Sequence, residues 1–148
     1  MPKTLEFQIA TPERVVFEAP AVEEIILPTQ MGEITILPDH IPLVSSLVAG
    51  EIRVKVGGQE VSMAVSGGFI EVRPGKVVVL ADTAERAEEI DEHRAEEARE
   101  KARQLMQEKK TETTDYTGLA AKLERELARL KVVRKHRERK NLGPKAVE

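Results

Sequence analysis

The sequence predicts an α+β fold, in which an N-terminal β-sandwich is followed by an antiparallel hairpin of two C-terminal helices. Residues 1 to about 82 are rich in Val and Ile and are interrupted at short intervals by Gly and Pro, which is typical of strands and turns. After Ala84 the composition shifts to Ala, Glu, Arg, Lys and Leu, and neither Gly nor Pro recurs before Gly118, which is typical of helices. A length of 148 residues suits one domain with an appendage. We therefore predict a sandwich domain at 1–84, a helical hairpin at 85–140 and a disordered tail at 141–148.

The first part contains nine short apolar segments separated by turn-forming residues. The segment at 51–56 alternates polar and apolar residues, which predicts a strand with one face in a core and the other in water. The Gly57-Gly58 pair that follows predicts a hairpin turn. Strands at such short spacing are expected to close into a sandwich rather than leave exposed edges. The nine segments are 4–9, 14–17, 22–27, 33–37, 43–48, 51–56, 60–65, 69–72 and 76–80.

Two apolar stripes at helical spacing follow the sandwich. Asp91 stands where the first helix begins and is well placed as its N-cap or as an acid in its first turn, and a polar break at 110–115 separates the two helices. The shared seam is thin, since burying a leucine contributes about 1.5–3 kcal/mol and burying an alanine much less. The hairpin could therefore open, and a ligand or partner could bias its two states. The stripes consist of Ala95, Ala98, Ala102, Leu105 and Met106 in the first helix and of Leu119, Leu123, Leu127 and Leu130 in the second.

The two ends of the predicted hairpin carry opposite charges, although the net charge of the chain is only −3. In an antiparallel hairpin the acidic start of the first helix lies beside the basic end of the second. Ion pairs on a solvated surface would account for this, at about 0–1 kcal/mol each. The basic end would also suit an acidic partner once the hairpin opens, and both interpretations can hold together. The acidic residues are Glu88, Glu89, Asp91, Glu92, Glu96, Glu97 and Glu100, and the basic residues are Lys131, Arg134, Lys135, Arg137, Arg139 and Lys140.

A candidate anion-binding cluster combines one carboxylate with three guanidinium groups. Asp91 and Arg94 are three residues apart at a helix start and share a face, so they can pair with each other or together bind a nucleotide. Arg125 and Arg129 are four residues apart and are expected on an exposed face, opposite the leucine stripe. Solvated surface charges are the ordinary interpretation of these two arginines. The functional interpretation is a phosphate-binding cluster with Asp91 and Arg94.

The sequence lacks the features of several other functional classes. No cysteine occurs, which removes disulfide scaffolds and thiolate chemistry and suits a reducing compartment. There is neither a P-loop nor an H-E-x-x-H motif, and His40, His93 and His136 lack ligand spacing, so we expect no catalytic set and no metal site. No apolar run approaches the roughly 20 residues of a membrane span, and residues 1–9 lack a signal-peptide pattern. We expect a soluble protein that is not exported.

The chain resembles, from end to end, the epsilon subunit of bacterial and chloroplast F-type ATP synthases. The resemblance rests on the final hairpin and on four stretches: T-P-E-R-V-V-F-E at 11–18, G-E-I-T-I-L-P-D-H-I-P-L at 32–43, A-V-S-G-G-F-I-E-V-R-P-G-K-V at 64–77 and A-D-T-A-E-R-A-E-E-I-D-E-H-R-A at 81–95. It implies a ten-stranded β-sandwich followed by two helices. It also implies a non-catalytic rotor subunit of a proton-translocating synthase, peripheral at the cytoplasmic face of the bacterial plasma membrane.

The resemblance also implies partners and contact residues. In that family the sandwich binds the gamma subunit and the ring of c subunits, and the hairpin either folds against the sandwich or extends into the head of alpha and beta subunits, where it inhibits ATP hydrolysis. Glu33 and His40 match the ring-facing loop, whereas Thr35 and Asp39 stand where the family commonly has glycine. Thr35 favours a strand conformation, and Asp39 tolerates a left-handed turn. The residues matched to the inhibitory contact with an acidic beta-subunit segment are Lys131, Arg134, Lys135 and Arg137.

Some bacterial members bind ATP in the folded hairpin, so the resemblance implies ATP as a regulatory ligand with no cofactor required. One arginine of those members is replaced here by Lys101, which cannot make the same bidentate phosphate contact and indicates weak affinity. In other members the I-D-x-x-R-A motif serves hairpin packing, so a structural pair of Asp91 and Arg94 stays an open alternative. The matching residues are Glu85, Ile90, Asp91, Arg94, Ala95, Arg125 and Arg129.

Two further hypotheses stay open on the sequence alone. A free-standing adaptor could use its basic helix to bind an acidic protein or nucleic acid, which would predict salt-sensitive DNA or RNA binding. The net negative charge and the presence of only three Phe and one Tyr disfavour nucleic acid as a partner. An ATP sensor acting alone would share Asp91 and Arg94 but would not need the loop around Glu33. A rotor subunit instead predicts stable association with a gamma subunit.

Overall fold

Eight β-strands and two α-helices form the fold in the computed structural model, which describes residues 3–108 and 113–142. A turn of 3-10 helix at Ala87–Glu89 joins the strands to the helices. The helices are α1 (Glu92–Glu108) and α2 (Thr113–Leu142). The strands are β1 (Leu5–Ala10), β2 (Val15–Val22), β3 (Glu24–Thr29), β4 (Gly32–Ile36), β5 (Leu43–Val56), β6 (Gln59–Arg73), β7 (Lys76–Ala81) and β8 (Ala84–Arg86).

The strands form one continuous hydrogen-bonded sheet that folds over into a sandwich. Its order is β2-β1-β7-β6-β5-β3-β4, with β8 paired to β6 off this path. β1 and β7 run parallel, and the other pairs are antiparallel. β5 and β6 pair along nearly their whole length, while β6 also pairs with β8 near its start and with β7 near its end. The two long strands therefore connect the side of the sheet that contains β1, β2 and β7 with the side that contains β3 and β4.

The described residues contain eight strands. This number differs both from the nine apolar segments read from the sequence and from the ten strands that the family resemblance implies. The sequence suggests breaks at Gly50 and at Gly67-Gly68. The pairing of β5 with β6 nevertheless continues through Gly50↔Val65 and Leu47↔Gly68. Glycine weakens a strand without ending it where its neighbours keep their cross-strand partners. β8 is the opposite case, because its Ala-Glu-Arg sequence carries no apolar alternation that would reveal a strand.

Alternate residues of the strands fill the core, as the period of two predicts. In β3, Ile25 and Leu27 are fully buried, whereas Ile26 between them is only partly buried. The rings of Phe7 and Phe17 lie 6.1 Å apart between centroids and are tilted by 51°. A fully buried large apolar side chain contributes about 1.5–3 kcal/mol. The sandwich is therefore the firm part of the molecule, and α2 packs against it.

Two local predictions are confirmed in the backbone. Gly57 and Gly58 have φ angles of 57° and 76° and join Val56 to its partner Gln59 in a tight hairpin. Asp91 caps α1, because its Oδ1 accepts a hydrogen bond from the backbone N–H of Arg94 at 3.2 Å.

α1 and α2 form the predicted antiparallel hairpin, and α2 also packs on β5 and β6. Part of the predicted break is wrong, because residues 113–115 belong to α2, and residues 109–112 lie outside the described part. Part of the predicted tail is also wrong, since residues 141 and 142 complete α2, while 143–148 lie outside the described part. None of the described helices combines the length and the apolar character that crossing a membrane would require.

The apolar stripe of α2 differs from the simple helical-wheel prediction. Leu130 is buried as expected, but Leu127 is 46% exposed, and Ala128 and Val132 are buried in addition. α2 is covered by α1 on one side and by the sheet on another, so its buried residues occupy two faces. A single stripe of leucines describes only a helix with one neighbour.

Candidate functional site

A polar cleft lies where the sandwich meets α2, and we name it the arginine cleft. Its volume is ≈ 430 Å³. One wall comes from the turn between β1 and β2, another from the turn between β7 and β8 together with β8 itself, and a third from α2. The lining residues are Thr11, Pro12, Glu13, Arg14, Asp82, Thr83, Ala84, Glu85, Arg125 and Arg129.

Arg129 is the central contact of the arginine cleft. Its Nε and Nη2 donate to the two carboxylate oxygens of Glu85 at 2.6 and 3.2 Å, and its Nη1 donates to Oε2 of Glu126 at 2.7 Å. Burial alone would lower the pKa of Arg129, but the hydrogen bonds to Glu126 and Glu85 outweigh it and raise the pKa above its ordinary value. The expectation of an exposed arginine is wrong here, because the side chain is only 19% exposed. α2 packs on the sandwich through this face, which a helical wheel of α2 alone does not reveal.

Glu126 is a site residue that the sequence analysis missed. Its side chain is 2% exposed and lies between two arginines of α2. Nη2 of Arg125 lies 3.4 Å from its Oε1, which is a longer and weaker contact than that of Arg129. A carboxylate three residues before Arg129 is a recognisable helical pair in the sequence. Its burial was not recognisable, because it depends on the position of the sandwich.

The residues of the I-D-x-x-R-A motif have two structural roles: Ile90 and Ala95 are buried, and Asp91 caps α1. Ile90 is buried in a cluster with Ala64, Ala87 and Val132, and Ala95 is buried in the hairpin. Asp91 caps α1, and its Oδ2 lies 3.8 Å from Nε of an Arg94 side chain that is 83% exposed. Neither Asp91 nor Arg94 lines the arginine cleft. Of the predicted ligand residues, the structure gathers Glu85, Arg125 and Arg129.

The segment that links β8 to α1 is pinned to the sandwich by polar contacts. Nη2 of Arg14 donates to both oxygens of Glu89 at 3.1 Å, and Glu89 also accepts from the backbone N–H of Arg86. Burial would raise the pKa of Glu89, but these hydrogen bonds outweigh it and lower the pKa below its ordinary value. The guanidinium of Arg86 in turn donates to the carbonyl of Val16 and lies over the ring of Phe17. The linker is therefore fixed up to the start of α1.

The basic end of α2 is paired inside the chain on two sides. Towards α1, Arg134 contacts Glu92 and Glu96, and Arg137 contacts Glu92, which agrees with the expected pairing of opposite ends. Towards the sandwich, Lys135 and Arg139 contact carboxylates of β5 and β6. Among the described residues, Lys131 has no ion-pair partner.

β4 and the loop after it carry the two residues matched to the ring-facing loop, Glu33 in the strand and His40 in the loop. Glu33 accepts a hydrogen bond from Arg53, and Nδ1 of His40 lies 2.7 Å from the carbonyl oxygen of Ile41. Thr35 lies in β4, and Asp39 has a φ of 66°, so the expectations of a strand and a left-handed turn are both confirmed. Three large apolar side chains are exposed in the same region, Met31 at 95%, Leu37 at 51% and Ile41 at 75%.

A second exposed apolar surface lies on the outer side of the sandwich, and we name it the apolar patch. It consists of Val44, Phe69 and Leu80, which are all more than half exposed. Phe69 and Leu80 are cross-strand partners on β6 and β7, and Val44 lies on the adjacent β5. Exposed apolar residues grouped on one sheet face mark a binding surface more often than isolated ones do. No group of three or more His, Asp and Glu side chains in the described ranges is placed to hold a metal ion.

Comparisons with known proteins match almost the whole chain. The family model described as the ATP synthase, Delta/Epsilon chain, beta-sandwich domain matches residues 4–87. The model described as the ATP synthase, Delta/Epsilon chain, long alpha-helix domain matches residues 88–134. An ATP synthase epsilon chain of Dehalococcoides mccartyi is 48% identical over 133 residues, which cover 90% of this chain and 94% of that protein. An ATP synthase epsilon chain of Caldanaerobacter subterraneus is 42% identical over 139 residues, which cover 93% and 99%.

Solved structures show the same fold at lower identity. A chain in a cryo-EM structure of the Euglena gracilis mitochondrial ATP synthase, comprising OSCP, F1 and the c-ring, superposes with a TM-score of 0.76 at 23% identity. The superposition covers 94% of this chain and 84% of that one. A chain in the central stalk and c-ring structure of the Tetrahymena thermophila mitochondrial ATP synthase gives a TM-score of 0.54 at 12% identity, over 90% and 96% of the two chains.

A β-sandwich that carries a helical hairpin, matched over its length by epsilon chains, defines a non-catalytic stalk subunit of a rotary ATP synthase. The chain belongs to the ATP synthase delta/epsilon chain family. This membership decides between the hypotheses left open by the sequence in favour of the rotor-stalk subunit.

Proposed function

We propose that this subunit joins the gamma subunit to the c-ring in the central stalk of a proton-translocating synthase, and that its hairpin regulates ATP hydrolysis. The observation that carries the coupling role is the apolar patch on the outer side of the sandwich. A permanent partner covers such a surface in a stable complex, because water would otherwise contact three large apolar side chains. The gamma subunit is the proposed partner of the apolar patch.

The edge strand β4, together with the turns at its two ends, is the proposed contact with the c-ring. It combines the exposed apolar side chains Met31 and Ile41 with the polar groups of Glu33 and His40. Apolar anchors surrounded by polar groups are typical of specific protein interfaces. The subunit would then contact the membrane only through the complex, peripherally at the cytoplasmic face of the bacterial plasma membrane.

Replacing Phe69 with glutamate is expected to weaken association with the gamma subunit by about 2 kcal/mol or more, since a central aromatic anchor is lost and a charge is buried. Size-exclusion chromatography and calorimetry with the purified gamma subunit measure this. The control is Lys55→Gln, because Lys55 is exposed, pairs with Glu23 and lies at the opposite end of β5 from Val44. Equal affinity of Phe69→Glu and the unaltered chain would contradict the proposed role of the apolar patch.

The inhibitory role is proposed for the basic end of α2. Arg134 and Arg137 lie on α1 carboxylates and Lys135 on sandwich carboxylates, so the folded hairpin neutralises these basic groups. Extending α2 would expose them together with Lys131 to an acidic segment of a catalytic beta subunit in the alpha–beta head. Charge complementarity of this kind favours fast and selective association.

ATP is the proposed regulatory ligand of the folded hairpin, with no other cofactor. Support comes from the arginine cleft, which places Arg125 and Arg129 beside Arg14 in a volume of ≈ 430 Å³. A guanidinium group can bind a phosphate through two parallel N–H···O hydrogen bonds. Glu85 now holds Arg129, so a bound phosphate would take over part of that contact. Ile90, Asp91, Arg94 and Ala95 would fix the adjoining start of α1.

Titration of ATP into the isolated chain in a calorimeter is expected to give saturable heat, which the Arg125→Ala variant abolishes because a phosphate contact is lost. Arg94→Ala is expected to weaken binding less, since Arg94 does not line the cleft. Lys131→Ala is the control, because it removes one exposed positive charge from the same helix. The absence of heat at millimolar ATP would refute the nucleotide site and leave Asp91 and Arg94 as a packing pair.

A further inference from the structure

One face of α2 combines an apolar contact with a charged one where it meets the sandwich. Val132 and Lys135 are three residues apart and share this face. On the sheet, Glu51 of β5 and Ala64 of β6 are cross-strand partners. Val132 packs with Ala64, and Nζ of Lys135 donates to Oε1 of Glu51 at 2.8 Å. The two residues of α2 thus meet the two partners of one strand pair.

A second carboxylate extends this contact along α2. Arg139 follows Lys135 by one helical turn, and its Nη2 donates to Oε1 of Glu60 on β6 at 2.6 Å. Nζ of Lys135 also reaches Oε1 of Glu60 at 3.3 Å. Burial would raise the pKa of Glu60, but the hydrogen bond from Arg139 and the charge of Lys135 outweigh it and lower the pKa. Glu60 is therefore ionised and paired at neutral pH.

Glu51 is the most buried member of this contact. Its side chain is 4% exposed, and its Oε2 has no hydrogen-bond partner among the described residues. Nε of Arg53 lies 3.4 Å from Oε1, which is close enough for an ion pair, but it is not aligned for a hydrogen bond. A buried carboxylate needs a close counter-charge to offset its lost hydration. Lys135 supplies the one well-formed hydrogen bond to the carboxylate of Glu51 in the described structure, and this bond is available only while α2 is docked.

We propose that Glu51 and Glu60 form an electrostatic latch that holds α2 on the sandwich and sets how readily the hairpin opens. Lys135 contacts Glu51 only while α2 is docked, whereas the acidic partner proposed above binds the extended α2. The sandwich and the partner therefore compete for the same ammonium group. The consequence for inhibition rests on the function proposed above, whereas the latch itself is a property of the isolated chain.

The burial of Glu51 makes the latch asymmetric. Lys135→Gln leaves a buried carboxylate with only the poorly aligned Arg53, so docking becomes unfavourable and opening returns Glu51 to water. Glu51→Gln leaves a lysine that is 31% exposed and still close to Glu60, so its effect is smaller. The double variant Glu51→Gln/Lys135→Gln removes both charges and is expected to restore docking relative to Lys135→Gln alone.

A distance measurement between two spin labels tests the latch in the full-length chain. The chain contains no cysteine, so Gln59→Cys and Asn141→Cys provide two unique exposed sites, which flank the Glu60–Arg139 contact. The unaltered latch is expected to give a short distance. Lys135→Gln is expected to raise the long-distance fraction relative to the short one by about tenfold, and the double variant to lower it again.

Lys131→Gln is the matched control, because it removes the same charge from an exposed position of the same helix. It is expected to leave the distance distribution unchanged. Circular dichroism of each variant shows that the sandwich stays folded. A distribution for Lys135→Gln that equals that of the unaltered chain would overturn the latch, as would an equal shift in Lys131→Gln. Because no partner is present, this outcome is independent of gamma-subunit binding.

Discussion

Replacing Arg129 with alanine is expected to destabilise the folded chain by about 3 kcal/mol and to release α2 from β8. The substitution removes both hydrogen bonds to Glu85 and leaves Glu126, whose side chain is 2% exposed, without its closest counter-charge. Breaking a buried ion pair by removing one partner costs about 3–5 kcal/mol, and the remaining contact with Arg125 places the effect at the lower end. Urea unfolding followed by circular dichroism measures the change.

Arg125→Ala is the matched control for this prediction, because Arg125 is on the same helix and its contact with Glu126 is 3.4 Å long. Its side chain is 40% exposed, so we expect a loss below about 1 kcal/mol. The two variants thus separate stability from ligand binding, since Arg125→Ala should lose ATP binding while the protein stays folded. Equal unfolding free energies for both variants would contradict the central position of Arg129.

Replacing Gly68 with alanine is expected to be the most damaging single substitution in the sandwich, with a loss above about 4 kcal/mol. A Cβ at this position would lie 2.1 Å from the carbonyl oxygen of Leu80 and 2.8 Å from Cα of Ala81, which are both backbone atoms of the paired strand β7. The φ angle of 128° is also unfavourable for a residue with a side chain. Neither problem can be relieved by rotating a side chain, so β6 and β7 must separate.

Gly118→Ala provides a contrasting control for the same chemical change. Gly118 lies in α2, and outside its own stretch of helix none of the described residues comes within 4 Å of the position that a Cβ would take. Alanine is favoured over glycine inside a helix by about 0.5–1 kcal/mol, so this variant is expected to gain stability. Thermal unfolding measures the expected loss of stability in Gly68→Ala and the expected gain in Gly118→Ala. A stable, folded Gly68→Ala protein would contradict the close backbone contact between β6 and β7.

Local sequence signals predicted those parts of the fold that depend on near neighbours. The Gly57-Gly58 turn requires φ angles that glycine adopts readily, and the Asp91 cap requires only a side chain beside a helix start. Both were predicted correctly. The continuity of β5 through Gly50 could not be predicted, because it depends on the register that β6 offers from the other side of the turn.

The burial of several residues of the candidate site could not be predicted, because it results from contacts between elements that are distant in sequence. Glu51 belongs to an alternating strand and was assigned a face in water, yet α2 covers it, and its side chain is only 4% exposed. Arg129 was placed on an exposed face for the same reason. Glu85 was named from the family resemblance alone, since it lies in β8, a strand without a sequence signal. Tertiary contacts, not local pattern, decide which charges are buried.

The most direct test of the regulatory role of the hairpin measures ATP hydrolysis by an ATP synthase head and gamma subunit to which this chain is added. The rate is expected to fall to a plateau as the chain saturates the complex. A variant with Lys131, Arg134, Lys135 and Arg137 replaced by glutamine is predicted to bind the complex without lowering the rate. A hydrolysis rate that stays unchanged at saturating amounts of the unaltered chain would contradict the regulatory role of its hairpin.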